Sequence, residues 1–126
     1  MTAGQAGGRL TTHVLDTAAG APAAGVDVEL FRLEGPRGER RTLLCRATLN
    51  HDGRADAPLL AGADMAAGTY ELVFRVGEHF TRQGAPLPEP AFLADVPVRF
   101  GISDPGAHYH VPLLISPYSY STYRGS

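Results

Sequence analysis

A single cysteine, Cys45, occurs in 126 residues, so no internal disulfide can staple the chain, and a small β domain exported to an oxidising compartment often carries one. No apolar run is long enough to span a bilayer. Met1 to Gly8 is small and polar and lacks the apolar segment of a secretory signal, which leaves the cytoplasm as the expected location. Charge is scarce as well: 19% of residues are charged, the net charge is -2, and neither half is a polybasic block. Such a surface supplies no field for nucleic acid or an anionic membrane. Low charge fits a chain that hides part of its surface in an oligomer. Fifteen Gly and ten Pro at short intervals leave little room for long helices. No internal repeat or low-complexity tract is present.

What remains is 44% hydrophobic and cut into strand-length pieces. The length suits one domain, here residues 9–126 after a flexible tail over 1–8. Leu10 to Thr17 alternates, with Leu10, Thr12 and Val14 on one face and Thr11, His13 and Leu15 on the other. A turn cluster over 16–25 leads to a second alternating run, Val26 to Leu33. After a Gly-Pro loop, Arg41 to Leu49 is a further strand with Leu43, Cys45, Ala47 and Leu49 in one register. There Cys45 reads as a packed strand residue rather than a nucleophile, with no histidine close in sequence.

Asn50-His51-Asp52-Gly53-Arg54 makes a tight turn with His51 at an exposed tip. Thr69 to Val76 is a strand. Gly77 to Arg82 is one or two turns of helix, with Phe80 inward and His79 expected on the exposed side. Gly84 to Pro90 is irregular, and Phe92 to Ile102 returns to strand. Eight short strands, one short helix and regular turns read as an all-β sandwich of two sheets.

The last nineteen residues are too rich in aromatic, branched and leucine side chains for an ordinary terminus. Tyr109, Val111, Leu113 and Ile115 form a continuous apolar row that faces a core. The opposite row, His108, His110, Pro112 and Leu114, is neither charged nor hydroxylated, which predicts that another surface covers it, most simply a second subunit. Tyr118 to Arg124 then resumes as a second strand.

His13, Arg54 and His110 occupy positions that invite a use. Neutral imidazole titrates near about 6.5 and can accept a proton from water, while arginine keeps its charge and offers a planar fork to a carboxylate or enolate-like oxygen. Together they suit hydrolysis of a polar, anionic heterocycle, with one histidine activating water, the other orienting it, and arginine stabilising charge on a carbonyl oxygen. Each also has a plain structural use: a strand histidine can be a packing residue, and Arg54 can decorate a solvated hairpin tip. His108 and His110 lie roughly 7 Å apart on one strand face, so with His13 they form an alternative zinc set, although no Cys or carboxylate accompanies them.

Leu10-Thr11-Thr12-His13-Val14-Leu15-Asp16-Thr17, Gly20-Ala21-Pro22-Ala23, Asn50-His51-Asp52-Gly53-Arg54, and His108-Tyr109-His110-Val111-Pro112-Leu113-Leu114 through Tyr123-Arg124-Gly125-Ser126 together resemble the 5-hydroxyisourate hydrolases, the transthyretin-related proteins of purine catabolism. The resemblance covers nearly the whole chain from residue 10, and its Tyr-Arg-Gly-Ser ending is the most specific part. It implies a transthyretin-like sandwich of two four-stranded sheets, assembled as a homotetramer of two dimers with the active sites in the channel between them. It assigns catalysis to His13, Arg54, His110 and Ser126, with His13, Arg54 and Tyr123 at the substrate, and requires no cofactor or metal. The implied reaction opens the six-membered ring of 5-hydroxyisourate with water. The rival reading within the same fold is a transthyretin-like carrier that binds a small molecule without catalysis; transthyretins lack the Tyr-Arg-Gly-Ser ending. Departures from the family pattern fall in Gly84 to Pro90, in Phe92-Leu93-Ala94 and in the slightly long Gly35 to Arg40, all away from the expected site.

Overall fold

The computed structural model describes residues 7–125. Its elements in chain order are β1 (Arg9–Asp16), β2 (Ala21–Pro22), β3 (Asp27–Glu34), β4 (Arg40–Thr48), β5 (Leu60–Ala61), β6 (Gly68–Phe74), α1 (Val76–Arg82), β7 (Val96–Ile102), β8 (His108–Ser116) and β9 (Ser119–Thr122). They form a two-sheet, all-β sandwich with one short α-helix among the described residues. The first sheet runs β2-β1-β8-β9 with β5 added on β1, and the second runs β4-β3-β6-β7. The first sheet is thus five-stranded rather than four-stranded. β2 and β5 share one edge of β1: β5 pairs with Arg9 and Leu10, and β2 with Leu15 and Asp16. Both are two-residue pieces, too short for side-chain alternation to reveal them.

The central pairing joins the two ends of the chain. β1 and β8 run parallel in unbroken register from Arg9 opposite His108 to Asp16 opposite Ile115. The inward rows are the ones that alternation predicts: Leu10 and Val14 from β1, and Tyr109, Val111, Leu113 and Ile115 from β8, are all buried. They meet Val28 and Leu30 of β3 and Leu72 and Phe74 of β6 in one core. Each such side chain contributes about 1.5–3 kcal/mol through burial. Thr12, the polar member of the inward β1 row, donates its hydroxyl to the Val111 carbonyl at 2.7 Å, so its burial leaves no unmade bond.

On the outer face of the second sheet Phe31, Leu33 and Val73 form a smaller cluster. The guanidinium of Arg41 lies 4.0 Å above the Phe31 ring and covers it. The ladder between β3 and β4 shifts by one residue between Leu30 and Phe31. That bulge leaves Leu44 outside the pairing, and Leu43 and Leu44 are both exposed. Cys45 keeps its strand role: its thiol donates to the Leu59 carbonyl at 3.6 Å, and burial pushes its pKa up, away from thiolate chemistry.

Three expectations change. The strand expected from Phe92 begins only at Val96, and Phe92 itself is exposed. Of the tail expected over residues 1–8, the first six lie outside the described residues, and Gly8 is buried where a Cβ would sit 1.9 Å from the Pro105 carbonyl oxygen. His79 is not on an exposed helix face: its side chain is 2% exposed and its Nε2 lies 2.8 Å from Oδ2 of Asp16, itself 4% exposed. Asp16 closes β1 by accepting the amides of Ala18 and Ala19 on Oδ1, and so ties helix α1 to the first sheet. The helix turns Val76, His79 and Phe80 inward, and Asp16, 63 positions away, is the partner that makes the inward face available to an imidazole. No helix among the described residues is long and apolar enough to cross a membrane.

Candidate functional site

The outer face of the first sheet carries two aligned columns. Register pairs Arg9 with His108, Thr11 with His110, His13 with Pro112 and Leu15 with Leu114. Because paired residues of parallel strands project to the same side, His13 and His110 become diagonal neighbours. Their rings stack with centroids 5.6 Å apart and an interplanar angle of 18°.

Arg54 joins them through its turn. The Asn50 side-chain oxygen accepts the amides of Asp52 and Arg54, at 2.9 and 3.2 Å, and the Asn50 amide donates to the Arg54 carbonyl at 2.8 Å. Gly53 adopts φ +72 and packs so closely that a Cβ would lie 2.5 Å from the Val14 carbonyl oxygen. Its own carbonyl accepts the Val14 amide at 2.9 Å. Arg54 is thereby bridged to His13, between the stretches of β1 that pair with β5 and β2. The turn is not a free hairpin tip but a crossing from the second sheet to the edge of the first. His51, by contrast, is at the tip as expected, with its side chain 88% exposed.

The C-terminal tail closes the other side. Arg124 lies 4.3 Å above the Tyr109 ring and donates to the His108 carbonyl at 3.3 Å. The Gly125 amide donates to the His110 carbonyl at 2.7 Å. Only glycine allows that approach, since a Cβ would meet Cδ2 of the His110 ring at 2.7 Å. Gly125→Ala is expected to displace the ring or the tail and lower turnover about tenfold. Steady-state rates beside a thermal melt check this; wild-type turnover would show that the contact is idle.

Thr11, His13, Arg54, His110, Tyr123 and Gly125 line one cleft of about 590 Å³. All three histidines around it are pushed below the ordinary imidazole pKa of 6.5. For His13 the cause is burial and then the charge of Arg54. For His110 it is burial, then His13, Arg54 and His108. For His108 it is burial, then Arg9 and Arg124. Nδ1 of His13 is buried without a hydrogen-bond partner among the described residues, so an imidazolium there would add an unpaired N–H to the cost of desolvation. The cleft therefore presents neutral imidazoles, able to take a proton, next to a permanent cation.

The stacked geometry does not suit the zinc alternative. Imidazole lone pairs lie in the ring planes, and rings stacked 18° from parallel form no ready-made chelate. Among the described residues no group of three or more His, Cys, Asp or Glu side chains could hold a metal.

His13, Arg54, His110 and Tyr123 are thus brought together, while Ser126 lies outside the described residues. Sequence reasoning passed over Thr11, whose hydroxyl lies 2.7 Å from both Nε2 of His108 and Nδ1 of His110. The signal was there in part, since Thr11 shares the outer β1 row with His13.

The architecture and the cleft define a transthyretin-like sandwich that carries an imidazole and guanidinium constellation on one outer face. The model of the HIUase/Transthyretin family matches residues 10–125, and the chain belongs to that family. It is 60% identical over 119 residues to 5-hydroxyisourate hydrolase 2 of Rhizobium meliloti, covering 94% of this chain and 97% of that one. Similarity extends to a mouse 5-hydroxyisourate hydrolase, 44% identical with 93% of this chain and 94% of that one covered. Among solved structures, an (S)-allantoin synthase superposes with TM-score 0.89 at 46% identity over 96% of this chain, which spans only 44% of that longer one. A sea bream transthyretin in complex with thyroxine superposes with TM-score 0.80 at 26% identity, covering 93% of this chain and 94% of that one.

Proposed function

We propose that this chain is a hydrolase that opens the six-membered ring of 5-hydroxyisourate at an amide-like C–N bond, giving 2-oxo-4-hydroxy-4-carboxy-5-ureidoimidazoline in urate breakdown. The observation that carries this is the stacked pair of neutral imidazoles beside Arg54, in a chain matched along nearly its full length by proteins of that activity. In this reading His110 takes a proton from water, and the water oxygen bonds to the ring carbonyl carbon. Arg54 holds the negative charge that develops on the carbonyl oxygen. His13 orients water or substrate, Tyr123 contacts the substrate from the rim, and Ser126 acts at the substrate as the family's ending implies. Organic cofactors and metals have no part in it.

The half-buried Leu15 and Leu114 continue the site's outer face as an apolar pair, which supports a homotetramer of two dimers with sites at the dimer–dimer interface. The working unit is residues 9–126 as one domain, in the cytoplasm. Thyroxine-type carriage draws less support, since identity to the sea bream transthyretin is 26% against 60% for the bacterial hydrolase.

The test is direct. 5-Hydroxyisourate generated by urate oxidase is followed by its ultraviolet decay; acceleration beyond buffer is expected, and a rate equal to buffer overturns the proposal.

A further inference from the structure

We propose that Thr11 and His108 act behind His110 as proton-positioning residues, coupling the tautomers of the two imidazoles through the single hydrogen of the Thr11 hydroxyl. The proposal rests on the reading of His110 as the residue that activates water.

Oγ1 of Thr11 lies 2.7 Å from Nε2 of His108 and 2.7 Å from Nδ1 of His110. A hydroxyl has one hydrogen to give, and each neutral ring has one N–H. If Thr11 donates to His108, then Oγ1 accepts from Nδ1–H of His110, and both rings hold their protons on Nδ1. If Thr11 donates to His110, then Nε2–H of His108 donates to Oγ1, and both rings hold their protons on Nε2. Mixed tautomers fail. Either two bare nitrogens compete for one hydrogen, or two N–H groups converge on Oγ1 and leave the hydroxyl hydrogen with no acceptor among the described residues. Matched tautomers therefore leave all three groups hydrogen-bonded to one another, and mixed ones do not.

The first arrangement leaves Nε2 of His110 bare. That nitrogen then takes a proton from water as the water oxygen bonds to the ring carbonyl carbon. The Nδ1 proton of His110 passes to Oγ1 while the hydroxyl hydrogen passes to Nε2 of His108. His110 is left neutral with a proton on Nε2, ready for the leaving ring nitrogen, and His108 holds the positive charge. The two shifts reverse as that proton is donated, so that His110 never loses both of its ring protons, and the first arrangement returns. The charge moves away from His13 and Arg54 but toward Arg9 and Arg124, with Asp56 as the carboxylate on the rim, so His108 holds it only in passing. Alternation alone does not ask for a threonine here. Any small polar residue would serve a solvated strand face, but a hydroxyl donates and accepts through one atom that reaches both rings at 2.7 Å.

The experiment reads imidazole tautomers by long-range proton–nitrogen NMR on the full chain labelled with nitrogen-15 histidine, without substrate, at a pH well above 6.5. His108 and His110 are expected to show the same tautomer. In Thr11→Val they should become independent, with kcat about tenfold lower and KM within about twofold of wild type, and Thr11→Ser should restore both. Opposite tautomers in the wild type overturn the proposal, and that measurement decides even if Thr11→Val does not fold. Wild-type kcat in a folded Thr11→Val also overturns it. Coupled tautomers in a chain that does not hydrolyse 5-hydroxyisourate would instead overturn the hydrolase reading, and with it the relay's catalytic use.

Discussion

His110→Asn should turn over 5-hydroxyisourate about 10²-fold or more slowly than wild type while keeping its fold and assembled size. Asparagine ends near where Nδ1 of histidine lies, so it still reaches Oγ1 of Thr11, the partner that His110 holds at 2.7 Å. It has nothing at the position of Nε2, and no group that accepts a proton near neutral pH. The backbone is untouched, because β8 is fixed by β1 on one side and β9 on the other, and the Gly125 amide needs only the residue-110 carbonyl. Loss of the stacked ring next to His13 removes a half-buried contact, not a core one. Initial rates of ultraviolet decay, with gel filtration and a thermal melt on the same sample, give the answer. An unassembled variant or one of wild-type rate would count against the role of His110 as base.

Which parts were readable beforehand follows from the range of each signal. Alternation is local, and it correctly sorted Tyr109, Val111, Leu113 and Ile115 from His108 and His110. Turn chemistry is local as well, so the Asp-Gly turn before Arg54 was visible. What alternation cannot see is pairing. Thr11 and His110 are 99 positions apart, and nothing within either strand says that they lie side by side. His13, Arg54 and His110 could therefore be grouped by their chemistry, but that they meet was implied only by family resemblance. His79 failed for the same reason, since its partner Asp16 sits at the far end of the chain's first strand. β2 and β5 were missed on grounds of length, each having two residues. The local signals thus describe faces, and the site is a property of which faces meet.

Arg54→Gln is expected to lower kcat/KM by about 10²-fold or more, the usual loss when one preorganised donor to a developing oxyanion is removed. Glutamine is shorter and uncharged, so it neither reaches as far nor stabilises negative charge. The same substitution carries a second, independent readout. Arg54 is one cause of the lowered pKa of both His13 and His110. A cation beside an imidazole disfavours its protonation, so removing that cation raises both pKa values. The acid limb of kcat/KM, which reports the free enzyme, is expected below the ordinary imidazole value in the wild type, because both histidines are shifted down. It should move to higher pH in Arg54→Gln, yet stay below 6.5, because burial is the larger cause for both rings and is unchanged. Arg54→Lys separates charge from shape. Lysine keeps the cation, so the limb should stay near its wild-type position, but it lacks the planar fork, so kcat/KM should still fall. A limb that does not move in Arg54→Gln would mean that neither His13 nor His110 governs the acid side of catalysis. The base would then have to be sought elsewhere, first at His108, the third imidazole of the cleft, whose lowered pKa comes from burial, Arg9 and Arg124 rather than from Arg54.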